Sequence, residues 1–144
     1  MNAAPAAVAT AAVFIWLGMV LAISFLETPL KFRAPGVDIP VGLGIGRIVF
    51  RALNRVEIGL ALITLATVVV SRPTPAVAAL TAASVVILAG QIVAIRPRLN
   101  RRTDRVLAGQ NLPRSATHHL YYVGLDAAKV LILAALGICL LAAR

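Results

Sequence analysis

The sequence predicts an all-α protein, a four-helix transmembrane bundle built from antiparallel hairpins with both termini outside. Hydrophobic residues make up 60% of the 144 residues and charged residues only 13%, about half the charged fraction of a soluble domain. The apolar residues are concentrated in four stretches, roughly 8–26, 43–70, 76–95 and 115–143, each near the ~20 residues that cross a ~30 Å hydrocarbon core. Four such helices close their backbone hydrogen bonds within one bundle, so we expect a single integral membrane domain over residues 1–144.

The first helix has no basic n-region and is longer than the h-region of a cleaved signal peptide, so we expect it to remain as a membrane helix. It should end near Glu27, because Pro29 disfavours helix for the preceding residue. Gly42, Gly44 and Gly46 lead into the second helix. They lack the preceding strand and the lysine of a phosphate-binding loop, which favours a role in close helix approach.

The second connection, residues 71–75, is so short that the second and third helices must be antiparallel neighbours. In the third helix Gln91 is the only strongly polar side chain, and we expect it to hydrogen-bond to another helix. Residues 96–114 should form the longest loop, after which Ser115 or Thr117 can cap the fourth helix.

The net charge of +9 gathers at two of the three connections. Basic residues fill or flank the first and third connections: Lys31, Arg33, Arg47, Arg96, Arg98, Arg101, Arg102, Arg105 and Arg114. By the positive-inside rule these connections are cytoplasmic, which indicates a multi-pass protein of the cell (inner) membrane. Basic residues clustered at helix ends point to the lipid bilayer as partner, and we expect no nucleic acid.

Charged and polar side chains occur inside two of the predicted helices. On the second, Arg47, Arg51, Asn54, Arg55 and Glu57 fall within an arc of about 160° at 100° per residue, leaving Phe50 and Leu53 on the other side. On the fourth, the polar residues within an arc of about 100° are His118, His119, Tyr122, Asp126 and Lys129. All belong to the cytoplasmic half, which predicts a polar recess open to the cytoplasm and closed outside by an apolar plug.

This recess has three interpretations. In the first, ion pairs only fix the helix register, since Asp126 and Lys129 have i, i+3 spacing and Glu57 has arginines within reach. In the second, Arg47 and Arg51 hold a small anion while His118 or His119 and Glu57 handle protons. A metal site is the third interpretation, but adjacent histidines point about 100° apart on a helix and cannot both bind one ion.

Four segments carry a resemblance to a known family: 24–32, 44–63, 96–99 and 118–131. They resemble the transmembrane-protein-205-like family of small four-helix membrane proteins. The matching features are a proline and a phenylalanine after the first helix, a polar start of the second helix, an arginine after the third and a histidine that opens the fourth. The sequence has Asp126 where that family tends to carry an amide. The resemblance implies an architecture and leaves the chemistry of the recess open.

A second resemblance starts from Arg47, Arg51-Ala52 and residues 54–57. This pattern is similar to the second-helix signature of the membrane-associated eicosanoid and glutathione metabolism family, with Leu53 in place of the histidine. The resemblance implies a trimeric four-helix bundle that binds glutathione on the cytoplasmic side.

The function that we expect from the sequence is binding or transport of a small anionic ligand in the recess. The ligand-binding residues would be Arg47, Arg51, Asn54, Glu57, His118, His119, Tyr122, Asp126 and Lys129. The alternatives are a glutathione-dependent transferase or peroxidase, and a scaffold subunit of a membrane complex. We assign no catalytic residue, metal or cofactor. A homo-oligomer is compatible with the sequence.

Overall fold

The structure is a computed structural model that describes residues 1–110 and 116–143, with residues 116–119 described by their backbone alone. All regular secondary structure in this part of the chain is helical. The described residues contain four helices: α1, Ala3–Lys31; α2, Ile39–Val70; α3, Pro75–Leu107; and α4, Ala116–Ala142. Each contains a segment long and apolar enough to cross a membrane, as expected of a multi-pass integral membrane protein.

The starts of α2 and α3 follow from the local sequence. The side chain of Asp38 accepts a hydrogen bond from Val41 N–H at 3.0 Å, and that of Thr74 accepts one from Val77 N–H at 3.3 Å. Both caps satisfy a backbone donor that the first helical turn leaves free. A proline in the first turn of each helix needs no such partner.

The helices extend further than the sequence predicts, most of all in α3. Residues 96–107 are helical, so the expected loop over 96–114 is wrong for most of its length. Pro97 lies in the first turn of the α-helical segment Arg96–Leu107, which follows the π-helical part of α3, and the arginines after it are good helix formers. Similarly, α1 continues through Pro29 to Lys31, and α2 begins at Ile39. The cap expected from Ser115 or Thr117 lies outside the described side chains.

Both α1 and α3 contain a π-helical segment, Leu21–Glu27 and Gln91–Ile95. Each segment ends two residues before a proline, whose ring nitrogen cannot donate to the preceding turn. Backbone bonds spanning five residues replace the α-helical pattern here, from Thr28 N–H to Ile23 O and from Arg96 N–H to Gln91 O. Residues five apart therefore face the same side of the helix.

The helices form a ring in which α1 packs against α2 and α4, and α3 packs against α2 and α4. Next to the start of α1 lies an apolar core, which includes Ala9, Val13, Val68, Val77, Leu133, Leu136 and Leu140. The backbone N–H of Asn2 donates to Ser71 O at 3.1 Å, so the start of α1 lies beside the end of α2.

Two glycines allow the other end of α1 to approach α2 closely. A Cβ atom on Gly46 would lie 2.8 Å from Lys31 Nζ, and one on Gly42 would overlap the Phe32 ring. The expected role in close approach is therefore confirmed for Gly42 and Gly46, whereas nothing lies within 4 Å of a Cβ atom on Gly44.

Candidate functional site

Five buried side chains, at least one from each helix, form a single polar cluster at the centre of the ring. This buried cluster consists of Trp16 on α1, Glu57 on α2, Gln91 on α3, and Asp126 and Lys129 on α4. Glu57, Asp126 and Lys129 are each 1% exposed. Ionisable residues within membrane helices are costly to insert, so they are retained where they pair with one another or serve a function.

Lys129 is the central group of the cluster. Its Nζ donates to Glu57 Oε1 at 2.5 Å and to Gln91 Oε1 at 2.7 Å, and it lies 3.4 Å from Asp126 Oδ1. Since Glu57 and Lys129 belong to α2 and α4, this ion pair joins the two helices that face each other across the ring. The i, i+3 pair expected between Asp126 and Lys129 is confirmed.

The remaining donors of the cluster point at carboxylates. The indole nitrogen of Trp16 donates to Glu57 Oε1 at 2.9 Å, and Gln91 Nε2 donates to Asp126 Oδ1 at 2.7 Å. The hydrogen bond expected from Gln91 to another helix is therefore present. Asp126 Oδ2 is buried and has no hydrogen-bond partner among the described residues.

A second layer lies beside the cluster and is built around Arg96. The Arg96 guanidinium lies between two rings, 4.2 Å from the centroid of Phe50 and 4.5 Å from that of Tyr122, and it also donates to the Tyr122 hydroxyl. In the amide orientation that satisfies its neighbours, Asn54 accepts from Arg96 Nε and donates to Glu57 Oε2, both at 3.2 Å. Asn54 thus connects the second layer to the buried cluster.

The cluster is off-centre along the bundle. At a rise of 1.5 Å per residue, Trp16, Glu57 and Lys129 lie about 20 Å from the helix ends near Asn2, Ser71 and Ala142, within a hydrocarbon core of ~30 Å. The space toward those ends is filled by the apolar core. The predicted division into a polar half and an apolar half is therefore present in the described residues.

Ion pairs at the other end of the bundle complete the polar half. Arg47 Nη2 lies 2.6 Å from Asp104 Oδ1 and donates to Asn100 O at 3.0 Å, and Lys31 Nζ lies 3.6 Å from Glu27 Oε2. These pairs are more exposed than the central ones. Water and headgroups therefore screen them more strongly.

The structure brings together five of the nine residues predicted to bind a ligand: Asn54, Glu57, Tyr122, Asp126 and Lys129. Arg47 instead pairs with Asp104 near the end of α3. Arg51 is exposed and does not reach the cluster. The side chains of His118 and His119 lie outside the described residues.

Two further expectations are wrong. Phe50 and Leu53, expected on the side away from the polar residues, are buried beside Tyr122. In addition, the partner of Glu57 is Lys129, and oppositely charged side chains fill the space that the sequence predicts as an open recess. Opposite charges in a low-dielectric interior attract strongly enough to close such a space.

Trp16 and Arg96 belong to the site but are absent from the predicted set. A tryptophan in the middle of an apolar helix has an N–H that needs an acceptor, and this is the signal in the sequence for Trp16. Arg96 falls in the predicted loop because Pro97 follows it, and the π-helical register that turns it inward leaves no clear pattern in the sequence.

The chain matches no protein-family model, no curated protein and no solved structure. Among the described residues, no three histidine, cysteine or acidic side chains are grouped to hold a metal ion. A glutathione site of the kind expected from the second resemblance would use both Arg51 and Glu57. The Arg51 side chain is exposed, whereas that of Glu57 is buried.

Proposed function

We propose that the buried cluster binds a small anion together with a proton, and that the protein carries both across the membrane. The observation that supports this proposal is the sharing of Lys129. Its Nζ lies 2.5 Å from Glu57 Oε1 and 3.4 Å from Asp126 Oδ1, while Asp126 Oδ2 has no hydrogen-bond partner among the described residues.

The charges of the site explain why an anion would need a proton. Glu57 and Asp126 balance Lys129 and Arg96, so the cluster and the second layer are neutral together. An added anion alone would leave one uncompensated negative charge in a low-dielectric interior, which costs several kcal/mol. A proton on Asp126 Oδ2 removes that charge and frees Lys129 to pair with the anion.

The cytoplasmic side is the proposed side of entry. We propose that α1 to α4 run as antiparallel neighbours with both termini outside, supported by the contact between Asn2 and Ser71 and by the arginines concentrated at the opposite end. The apolar core then separates the cluster from the outside. Arg96, held between Phe50 and Tyr122, separates it from the cytoplasm and would have to move to admit the anion.

The test uses purified protein in liposomes that contain a trapped pH indicator. Inward gradients of chloride, inorganic phosphate or gluconate are applied at equal osmolarity. We expect proton uptake that depends on at least one of these anions, and at least a tenfold slower rate for Asp126→Asn and Lys129→Met. Anion-independent proton flux, or a rate for Asp126→Asn equal to the wild-type rate, would refute the proposal.

The control is Arg33→Gln, which removes one exposed positive charge far from the cluster. Its rate should equal that of the wild type. Because the amide introduced by Asp126→Asn still offers an oxygen to Gln91, that variant should insert and fold, which thermal unfolding of the same preparation checks.

A second candidate function is that of a scaffold subunit in a membrane complex. The pairing of Lys129 with both Glu57 and Gln91 favours it, because buried ion pairs can fix the positions of helices without binding any ligand. The triple variant Glu57→Gln, Asp126→Asn, Lys129→Met separates the two. A scaffold whose fold tolerates these neutral replacements keeps its partners, whereas an anion carrier loses transport.

We also propose membership of the transmembrane-protein-205-like family. The support is positional: Glu27 and Pro29 lie near the end of α1, and Arg96 and Pro97 follow the π-helical segment of α3. Functional replacement of a family member by this chain in a deletion strain would test the assignment.

A further inference from the structure

We infer that a cleft between α3 and α4 binds an anionic phospholipid from the leaflet at the arginine-rich end of the bundle. The cleft has a volume of ≈ 210 Å³ and is lined by Ile95, Arg98, Leu99 and Tyr121. This surface is separate from the buried cluster, and the inference does not depend on which ligand the cluster takes.

The depth of the cleft suits a lipid headgroup. At 1.5 Å per residue, Arg98 lies about 35 Å from Pro75 along α3, just beyond a ~30 Å hydrocarbon core. Tyr121 lies about 32 Å from Ala142 along α4, at a similar level. Tyrosine is enriched at this interface because its ring prefers the apolar side and its hydroxyl the polar side.

The charge of the cleft selects an anionic lipid. Arg98 is exposed and has no acidic or aromatic partner among the described residues. On the helix extension of α3, residues 96–107, Arg98 and Arg105 lie within about 20° of each other at 100° per residue, whereas Asp104 is directed toward Arg47. The cleft side of α3 is therefore positive, and basic pockets between membrane helices attract anionic headgroups.

Apart from Arg98 and Tyr121, the lining is aliphatic. Ile95 and Leu99 are half-buried and lie one turn apart on α3. Ile95 lies about 5 Å closer to the bilayer centre than Arg98, and Leu99 lies at the level of Arg98. The cleft is smaller than the roughly 300–1,000 Å³ typical of sites that enclose a small molecule. It therefore fits a phosphate group and the upper part of an acyl chain, with the rest of the lipid lying along the bundle.

The experiment compares phosphatidylglycerol with phosphatidylcholine on the detergent-purified full chain. Native mass spectrometry counts the lipids retained, and a titration followed by thermal unfolding gives their apparent affinity. We expect retention of phosphatidylglycerol in preference to phosphatidylcholine, and an affinity for phosphatidylglycerol about fivefold weaker in Arg98→Gln, as for the loss of one basic contact at a membrane surface. Tyr121→Leu should also weaken binding.

The matched control is Arg33→Gln, which changes the same net charge at another exposed site. An equal loss of affinity in both arginine variants would show a general surface attraction and overturn the inference. Equal retention of the two lipids would overturn it too. Glycerol phosphate, the headgroup without chains, should not stabilise the protein, and full stabilisation by it would overturn the lipid assignment in favour of a site for free phosphate.

Discussion

At the scale of single residues, Lys129 determines the electrostatics of the interior. Its ammonium group is the nearest positive charge to both Glu57 and Asp126, at 2.5 and 3.4 Å. Removing one member of a buried ion pair leaves the others uncompensated, which costs more than the pair itself contributes. The effect of a substitution here should therefore far exceed that of the same change near a helix end.

We predict that Lys129→Met lowers the free energy of unfolding by about 3–5 kcal/mol. The methionine fits the space but leaves two buried carboxylates without their cation. Lys31→Met is the matched change, because Lys31 pairs with Glu27 at a longer distance of 3.6 Å near the end of α1. It should cost less than Lys129→Met, because the Glu27 side chain that it leaves unpaired is 28% exposed and can be hydrated. Thermal and denaturant unfolding in one detergent measures both, and equal losses would contradict the prediction.

At the scale of elements, the π-helical segment Gln91–Ile95 orients two layers of the site at once. Gln91 reaches the buried cluster, and Arg96 reaches Phe50 and Tyr122. Residues five apart lie on one side only in the π-helical register, since at 100° per residue they would be about 140° apart. This segment therefore sets which side of α3 the residues after it face.

Deletion of Ala94 tests this geometry. We expect the shorter helix to take the α-helical register, in which Gln91 and Arg96 become four residues apart and lie within about 40° of each other. Both side chains then keep their places, so the variant should insert, unfold near the wild-type temperature and retain anion-dependent proton uptake. The matched change keeps Ala94 and inserts one alanine after Ile92, which makes the two residues six apart, about 120° from each other at 100° per residue, and should lower the unfolding temperature and abolish uptake. An insertion variant that behaves like the wild type would contradict this account of the segment.

The helix extension of α3 is held to α2 by a weaker contact. Arg47 and Asp104 lie 2.6 Å apart, but the Asp104 side chain is 65% exposed. Exposed ion pairs contribute little, because solvent screens them and both side chains lose freedom.

We predict that Asp104→Asn changes the free energy of unfolding by less than about 1 kcal/mol. The effect should shrink further at high salt concentration, where the pair is screened. Unfolding measured at low and high ionic strength checks this, and a salt-independent loss of several kcal/mol would show that the extension depends on the pair.

At the scale of the whole molecule, the helices follow from the sequence far better than the site does. Length and hydropathy are sufficient to identify four spanning helices, and the i, i+3 spacing identifies the pair of Asp126 and Lys129. Contacts between different helices do not follow from length, hydropathy or spacing along the chain. That Glu57 meets Lys129 rather than an arginine depends on how helices distant in sequence pack, and the inward turn of Arg96 depends on a local π-helical register.

The orientation in the membrane gives a prediction at this scale. In a background with Cys139→Ala, a cysteine at Arg101 should resist membrane-impermeant thiol reagents in intact cells. A cysteine at Arg72, in the connection between α2 and α3, should react. Permeabilised cells provide the control, because both positions are exposed and should then react. The opposite labelling pattern would reverse the proposed orientation and the side of anion entry.

The chain contains a single tryptophan, and its indole nitrogen donates to the Glu57 carboxylate inside the bundle. The intrinsic fluorescence of the unlabelled protein therefore originates beside the ionisable groups of the interior. Its emission maximum should shift when protons or ligands change the local field. Spectroscopists thus have an optical reporter at this position without adding a dye.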